Sequence, residues 1–149
     1  MLETIGHSQL AALAQLWSRK ASGKRLPARE DFDPAELRPW LGRLMLLDVV
    51  EDGRDFHYRL HGTGLVELFG EDLTGRAVGK LDPKRREALL AEYRRALETR
   101  SPHYVPSKEL AEKEHVRIAK LVLPLASDGE RVDKLMVSVY PLSAYERSL

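Results

Sequence analysis

Residues 58–75 read YRLHGTGLVELFGEDLTG, and the fold turns on what this stretch is. It is either a phosphate-binding or catalytic loop, or the corner where a strand ends and a helical segment begins. The Gly-Lys-Ser/Thr ending of a phosphate loop is missing. Gly62-Thr63-Gly64 is followed by Leu65-Val66-Glu67, so the G-x-G-x-x-G fingerprint is missing too. Exposed N–H groups at a strand-to-helix turn could still meet an anion. The plainer reading is that Gly62 and Gly64 let the chain leave a strand sharply, with Thr63 capping the helix.

Working backwards, FHYRLHG at 56–62 has a period of two. Phe56, Tyr58 and Leu60 share one face, and His57, Arg59 and His61 share the other. RLMLLDVV at 43–50 and the turn EDGRD make its antiparallel partner. Further back, Leu10, Leu13, Leu16 and Trp17 predict a helix over 8–21, with Ser8 as N-cap and Gly23 as its stop. Asp33-Pro34 opens a short helix reaching about Leu41.

Working forwards, Leu65, Val66, Leu68 and Phe69 predict a short helix ending at Gly70, and Asp72, Thr74 and Gly75 mark a tight turn. Asp82-Pro83 opens a longer helix with the stripe Leu89, Tyr93, Ala96 and Leu97. Three strands follow, HYVPSKEL, VRIAKLVLPLA and VDKLMVSVYPL, the last two joined by a turn at Gly129. The fold class is therefore α+β, a five-stranded antiparallel sheet with a helical insert between strands 2 and 3. That element order resembles the skeleton of a PAS sensory domain. The expected organisation is an N-terminal helical extension at 1–41 packing on the sheet, a PAS-like domain at 42–142 and a tail at 143–149. In the last two strands, Leu121, Leu123 and Leu125 and Leu135, Val137 and Val139 form apolar stripes. Val122, Met136 and Tyr140 fill the alternate positions, so both faces want burial. The N-terminal helix is the obvious cover, in cis or across a dimer.

Bulk composition sets limits. A chain of 149 residues that is 43% hydrophobic suits one domain with one core. Its net charge of +1 gives no global reason to expect nucleic acid or an anionic membrane. The absence of cysteine removes disulfides, thiolate nucleophiles, cysteine metal sites and cysteinyl–flavin photochemistry. No apolar run is long enough to span a bilayer, and MLETIGHSQLAAL lacks a basic signal-peptide start, so a cytoplasmic location is expected.

The runs WSRKASGKRLPAREDFDPAEL, LLDVV, FHYRLHGTGLVELFGEDLTGR and LVLPLASDG together resemble a bacterial PAS-like family. Many of its mostly uncharacterised members come from alphaproteobacteria. The resemblance spans roughly 17–140. Its most specific parts are Pro27-x-Arg29 with Asp33-Pro34, and Tyr58-Arg59-Leu60-x-Gly62-Thr63 leading to Leu73-Thr74-Gly75. It implies a PAS fold with an added N-terminal helical segment and a sensory or regulatory role. It brings no catalytic residue and no known ligand.

Candidate sites follow from these readings. Tyr58, Thr63, Phe69, Thr74 and Tyr93 are candidates to line a ligand pocket beneath the insert. Trp17, Arg29, His57, Arg59 and His61 are candidates for a partner surface. Arg29 and Asp33 could instead pin their loop against the domain. His57 and His61, four apart on a strand, lie about 13 Å apart, too far to share one metal. His103 and His115 fit no metal signature and read as exposed. Haem is disfavoured because 63–100 holds no histidine, cysteine or methionine, leaving only Tyr93. Carboxylates such as Glu67 with Glu71 or Asp72, and Asp82 with Glu87, have no visible orienting partner. Ser8, Ser107 and Ser138 have no nearby base. No catalytic residue, metal or cofactor is assigned, and an unidentified small ligand stays open. The clusters Arg19, Lys20, Lys24, Arg25, Arg29 and Lys84, Arg85, Arg86 are each followed by acids, Glu30-Asp31 and Glu87, and have no interleaved aromatics. The function expected is a stand-alone sensory or regulatory module that binds a small ligand or signals through a homodimer or a separate signalling protein. A small enzyme and a nucleic-acid-associated regulator are the alternatives.

Overall fold

The computed structural model describes residues 5–23, 25–110 and 113–142, with backbone alone for 107–110 and 113–116. Lys24, the expected tail 143–149 and the side chains of Ser107 and His115 lie outside that description. Helix α1 (Ser8–Lys20) comes first, then the one-turn α2 (Pro34–Leu37), which runs on into a 3-10 turn at 38–43. Strands β1 (Leu44–Val50) and β2 (Asp55–His61) form a hairpin. The insert is α3 (Thr63–Phe69), a turn, and α4 (Pro83–Thr99). Strands β3 (His103–Leu110), β4 (Lys113–Leu125) and β5 (Lys134–Pro141) complete one five-stranded antiparallel sheet in the order β2-β1-β5-β4-β3.

The helix ends follow local chemistry. Asp33 caps α2 with Pro34 at its first position, as the sequence predicts. Asp82 accepts the Arg85 N–H at the start of α4. Three termini differ from expectation. His7, not Ser8, caps α1, its Nδ1 accepting the Leu10 N–H, because an imidazole nitrogen serves as an acceptor there. At its other end α1 stops at Lys20, and Gly23 sits in a later left-handed turn (φ 62°). Thr63 is not the cap of α3 either; the cap residue is Gly62.

Strand pairing separates the two faces of the sheet. Met45, Leu47, Phe56, Tyr58, Lys120, Val122, Leu135, Val137 and Val139 point toward α4 and the insert. Leu44, Leu46, Ala119, Leu121, Leu123, Met136, Ser138 and Tyr140 point the other way. The N-terminal segment covers this second face in cis. The His7 ring lies 4.7 Å from that of Tyr140, and Trp17 donates its indole N–H to the Pro124 carbonyl at 2.8 Å. Leu10, Leu13, Leu16, Trp17, Phe32, Leu37 and Trp40 are buried there in the same core as the strands. Pro106 interrupts β3 where its register against β4 shifts, an edge-strand position that tolerates a missing N–H.

One irregularity reverses a sequence expectation. Leu46 faces Leu60 and Leu47 faces Tyr58, so Arg59 is an extra residue bulged out of β2. Alternation therefore resets. Leu60 turns outward and is 46% exposed, whereas His61 turns inward beneath the insert and is 5% exposed. His61 does not share a face with His57 and Arg59.

Candidate functional site

The corner at 62–64 positions the insert by close approach of backbones. A Cβ on Gly62 would lie 2.8 Å from the Gly42 carbonyl oxygen, and one on Gly64 would lie 2.7 Å from it. Gly62 has φ −58°, which any residue adopts, so the requirement is space. This seats α3 on the 3-10 turn that precedes β1. The chain then returns along the outer edge of β2. Tyr58 N–H donates to the Arg76 carbonyl at 2.9 Å, and Gly75 N–H donates to the Tyr58 carbonyl at 2.7 Å. The insert thereby covers that sheet edge.

Beneath it runs a row of buried polar side chains. His61 is fully enclosed, and its Nδ1 accepts the Leu73 N–H at 3.0 Å. An accepting Nδ1 puts the neutral ring's proton on Nε2, which makes no hydrogen bond. The imidazole stacks on Phe69 with centroids 5.5 Å apart, and the Tyr58 ring is 6.0 Å away. Burial pushes the His61 pKa below its usual value, against the smaller opposing pull of Asp72 and Glu71. Next along β2, burial pushes the Tyr58 phenol up to about 12, and the neighbouring Tyr93 hydroxyl offsets part of that rise. Tyr93, from α4, is wholly buried, packs edge-on against Phe56 at 5.4 Å, and is raised well above the usual tyrosine value by burial. Its Oη makes no hydrogen bond of ordinary geometry, although the Tyr58 hydroxyl is close enough to act on it.

The row ends in an ion pair. Lys120 Nζ meets Glu92 Oε2 at 2.6 Å, with side chains 5% and 8% exposed. The same ammonium lies 5.8 Å from the Tyr93 ring centroid. Sequence reasoning singled out neither Lys120 nor Glu92. The available signal was a lysine in the chain's longest apolar strand, in phase with Ile118 and Val122. On the outer side of the insert, Arg85 joins Glu71 at 3.0 Å to Asp82 at 2.5 Å.

Of the proposed pocket residues, Tyr58 and Tyr93 meet in this row and Phe69 closes it over His61. Thr63 and Thr74 do not join them, because both are exposed. The Thr74 hydroxyl is spent on Asp72 Oδ1 at 2.7 Å, within its own turn. Of the proposed surface residues, Trp17 is buried against β4, and His61 lies in the interior. Arg29 is half-buried and donates to the Phe32 carbonyl at 3.3 Å, pinning its loop. His57 and Arg59 are exposed, and Arg59 pairs with Asp48 at 2.7 Å. His103 is half-buried. Clefts lined by described residues lie elsewhere. One of about 360 Å³ lies between Trp17, Leu26 and Arg100, and one of about 340 Å³ lies between Asp52, Arg94 and Leu97. Among the described residues no group of three or more His, Cys, Asp or Glu side chains could hold a metal ion, and no helix is long and apolar enough to cross a membrane.

A family model described as PAS domain matches residues 5–139. The chain belongs to the PAS domain family. Solved PAS-type structures repeat the architecture. A sensory box sensor histidine kinase from Vibrio cholerae is similar at TM-score 0.53 and 17% identity, covering 91% of this chain and 97% of that one. The PAS domain of Bordetella pertussis BvgS is similar at TM-score 0.53 and 11% identity, covering 92% and 88%. A Rhodobacter sphaeroides LOV protein is similar at TM-score 0.52 and 15% identity, covering 78% and 72%. At these identities the likeness is one of fold. A comparison with curated protein sequences finds no match. In this PAS domain, then, the polar row lies between the inner sheet face and the helical insert.

Proposed function

We propose that this PAS domain is a bacterial sensory or regulatory module whose input is read between the inner sheet face and the insert. A small ligand there, or a protein partner docked on the module, shifts the insert, and the shift is passed on by contact with a second copy or a separate signalling protein. In this reading residues 1–41 are a helical cover on the module at 42–142. The observation that carries the proposal is the buried polar row. A core built only for stability has no use for an imidazole N–H without a hydrogen bond, two buried phenols facing each other and an ion pair in its centre. Such breaks of local rules gather at functional sites. The fold shared with a sensory box sensor histidine kinase agrees with this role. An output face is available where His57, Arg59, Leu60 and Leu41 are exposed around the bulge.

The enzyme alternative gains no support, because the row contains no activated nucleophile with a base beside it. The nucleic-acid alternative requires the basic clusters to merge into one surface. Their described residues sit on α1 and its following loop and on α4, helices that pack on opposite faces of the sheet.

The test is native mass spectrometry of the gently purified chain, followed by thermal shift against fractionated small-molecule extract. The expected result is a saturable stabilisation that Tyr93→Phe weakens at least severalfold. No retained molecule, together with no fraction that shifts the wild-type melting temperature, would remove the ligand reading.

A further inference from the structure

The imidazole of His61 faces two structures at once, the strand it belongs to and the turn that ends the first part of the insert. Its Nδ1 is the acceptor for the Leu73 amide at 3.0 Å, and Leu73 is itself buried. One residue earlier, Asp72 Oδ1 stands 3.8 Å from the same Nδ1. Asp72 is fastened to Thr74, whose hydroxyl and then backbone N–H hold its carboxyl below the usual carboxylate range, so it stays anionic through mildly acid pH. A donor amide and a waiting carboxylate, both within reach of one titratable nitrogen, make two arrangements of the turn available.

We propose that His61 is a proton-operated latch on the insert. When neutral, it holds the Leu73 amide. When protonated at Nδ1, it releases that amide and turns to the Asp72 carboxylate. The proton comes from solvent, and the one on Nε2 stays in place. Two N–H groups cannot share the 3.0 Å between Nδ1 and the Leu73 nitrogen, so protonation and the present turn exclude each other. The groups facing His61 are few. The turn contributes Asp72 and Glu71, and Glu71 is bound on its far side to Arg76 and Arg85. Strand β2 contributes the neutral Tyr58, and α3 contributes the uncharged Phe69. Met45 is its cross-strand neighbour on β1. Release of Leu73 also loosens the return of the chain along β2 at 75–77, so the proton acts on the segment that covers the sheet edge.

The sign follows from burial. The closed state disfavours the charged ring, so its pKa lies below the 6.5 expected when the turn is open. Above about 6.5 the latch is fully closed. As pH falls from there toward the depressed value, opening gains about tenfold per pH unit. The device needs no ligand and stands apart from the ligand reading above.

The experiment uses the full chain labelled with ¹⁵N. Long-range imidazole spectra give the His61 tautomer and its titration, and amide exchange, corrected for intrinsic rate, gives Leu73 protection from pH 8 to 5. The expected result is an Nε2–H tautomer at neutral pH. Leu73 protection falls about tenfold per unit below 6.5, while Val122 in the sheet stays unchanged. His61→Asn, which keeps an acceptor without the titration, is expected to flatten the Leu73 profile. An Nδ1–H tautomer overturns the proposal, as does titration of His61 with constant Leu73 protection, or an unchanged slope in His61→Asn. Failure of His61 to titrate before the chain unfolds also overturns it. If His61→Asn does not fold, the wild-type measurements decide alone.

Discussion

Replacing Lys120 by methionine takes the 2.6 Å partner away from the buried Glu92, and Glu92→Leu takes the same contact away from Lys120. The pair sits between β4 and α4 with both side chains over nine-tenths enclosed, so water can supply little of what is lost. Breaking such a pair from one side costs about 3–5 kcal/mol. In a domain of this size each kcal/mol moves the melting temperature by about 3 °C, so each single variant should melt roughly 10–15 °C lower. Replacing both residues with apolar ones of similar volume removes the two desolvation penalties together. The double variant is therefore expected within about 1 kcal/mol of wild type, or above it. Urea unfolding of the four proteins closes the cycle, with an expected coupling of several kcal/mol. Single variants costing under about 1 kcal/mol each, and adding without coupling, would mean that the pair is not enclosed as described and would refute the reasoning. The double variant also separates roles, since a pair that serves sensing loses ligand response while keeping stability.

Other consequences are smaller. Gly64→Ala should gain about 1 kcal/mol of helix propensity, yet the clash 2.7 Å from the Gly42 carbonyl outweighs it, giving a net loss of about 1–3 kcal/mol in urea titration, and Gly62→Ala, at the cap where Ala brings no such gain, should lose at least as much. Stability retained or increased would mean that α3 can lift off the preceding turn. Trp17→Phe keeps most of the ring burial but orphans the Pro124 carbonyl, with an expected cost of about 1–3 kcal/mol in the same assay. Ultraviolet titration should find Tyr58 un-ionised until about pH 12. Because its folded pKa is raised, the stability it contributes is complete below pH 10 and is lost as pH climbs from 10 through 12. A full five-tyrosine signal at pH 10.5 with the fold intact would contradict the buried row.

Much of the architecture was legible because it rests on periodicity. Phe56 and Tyr58 alternate with His57, Leu10 to Trp17 repeat at helical spacing, and Gly129 marks the last hairpin. The site was less so. A period-two reading carries His61 to the outside, and only the bulge at Arg59 brings it in. A bulge is set by the partner strand, which the local pattern does not encode. Thr63 and Thr74 have the right chemistry for a pocket, but their orientation depends on a helix cap and a turn that face solvent. Lys120 and Glu92 are 28 residues apart, and a pairing across layers leaves no trace in either local segment. The glycines of the corner were correctly read as a tight departure from the strand. Their reason, the Gly42 carbonyl beneath them, is a tertiary contact.

The central claim is that signals enter between the inner sheet face and the insert. The most direct measurement is an amide shift map of the ¹⁵N-labelled chain titrated with the small-molecule fraction that stabilises it. The account predicts saturable shifts centred on Tyr58, His61, Leu73 and Tyr93, reaching the 75–77 edge segment. Shifts confined to His57, Arg59, Leu60 and Leu41, with the interior row silent, would contradict it and move the input to the outer face.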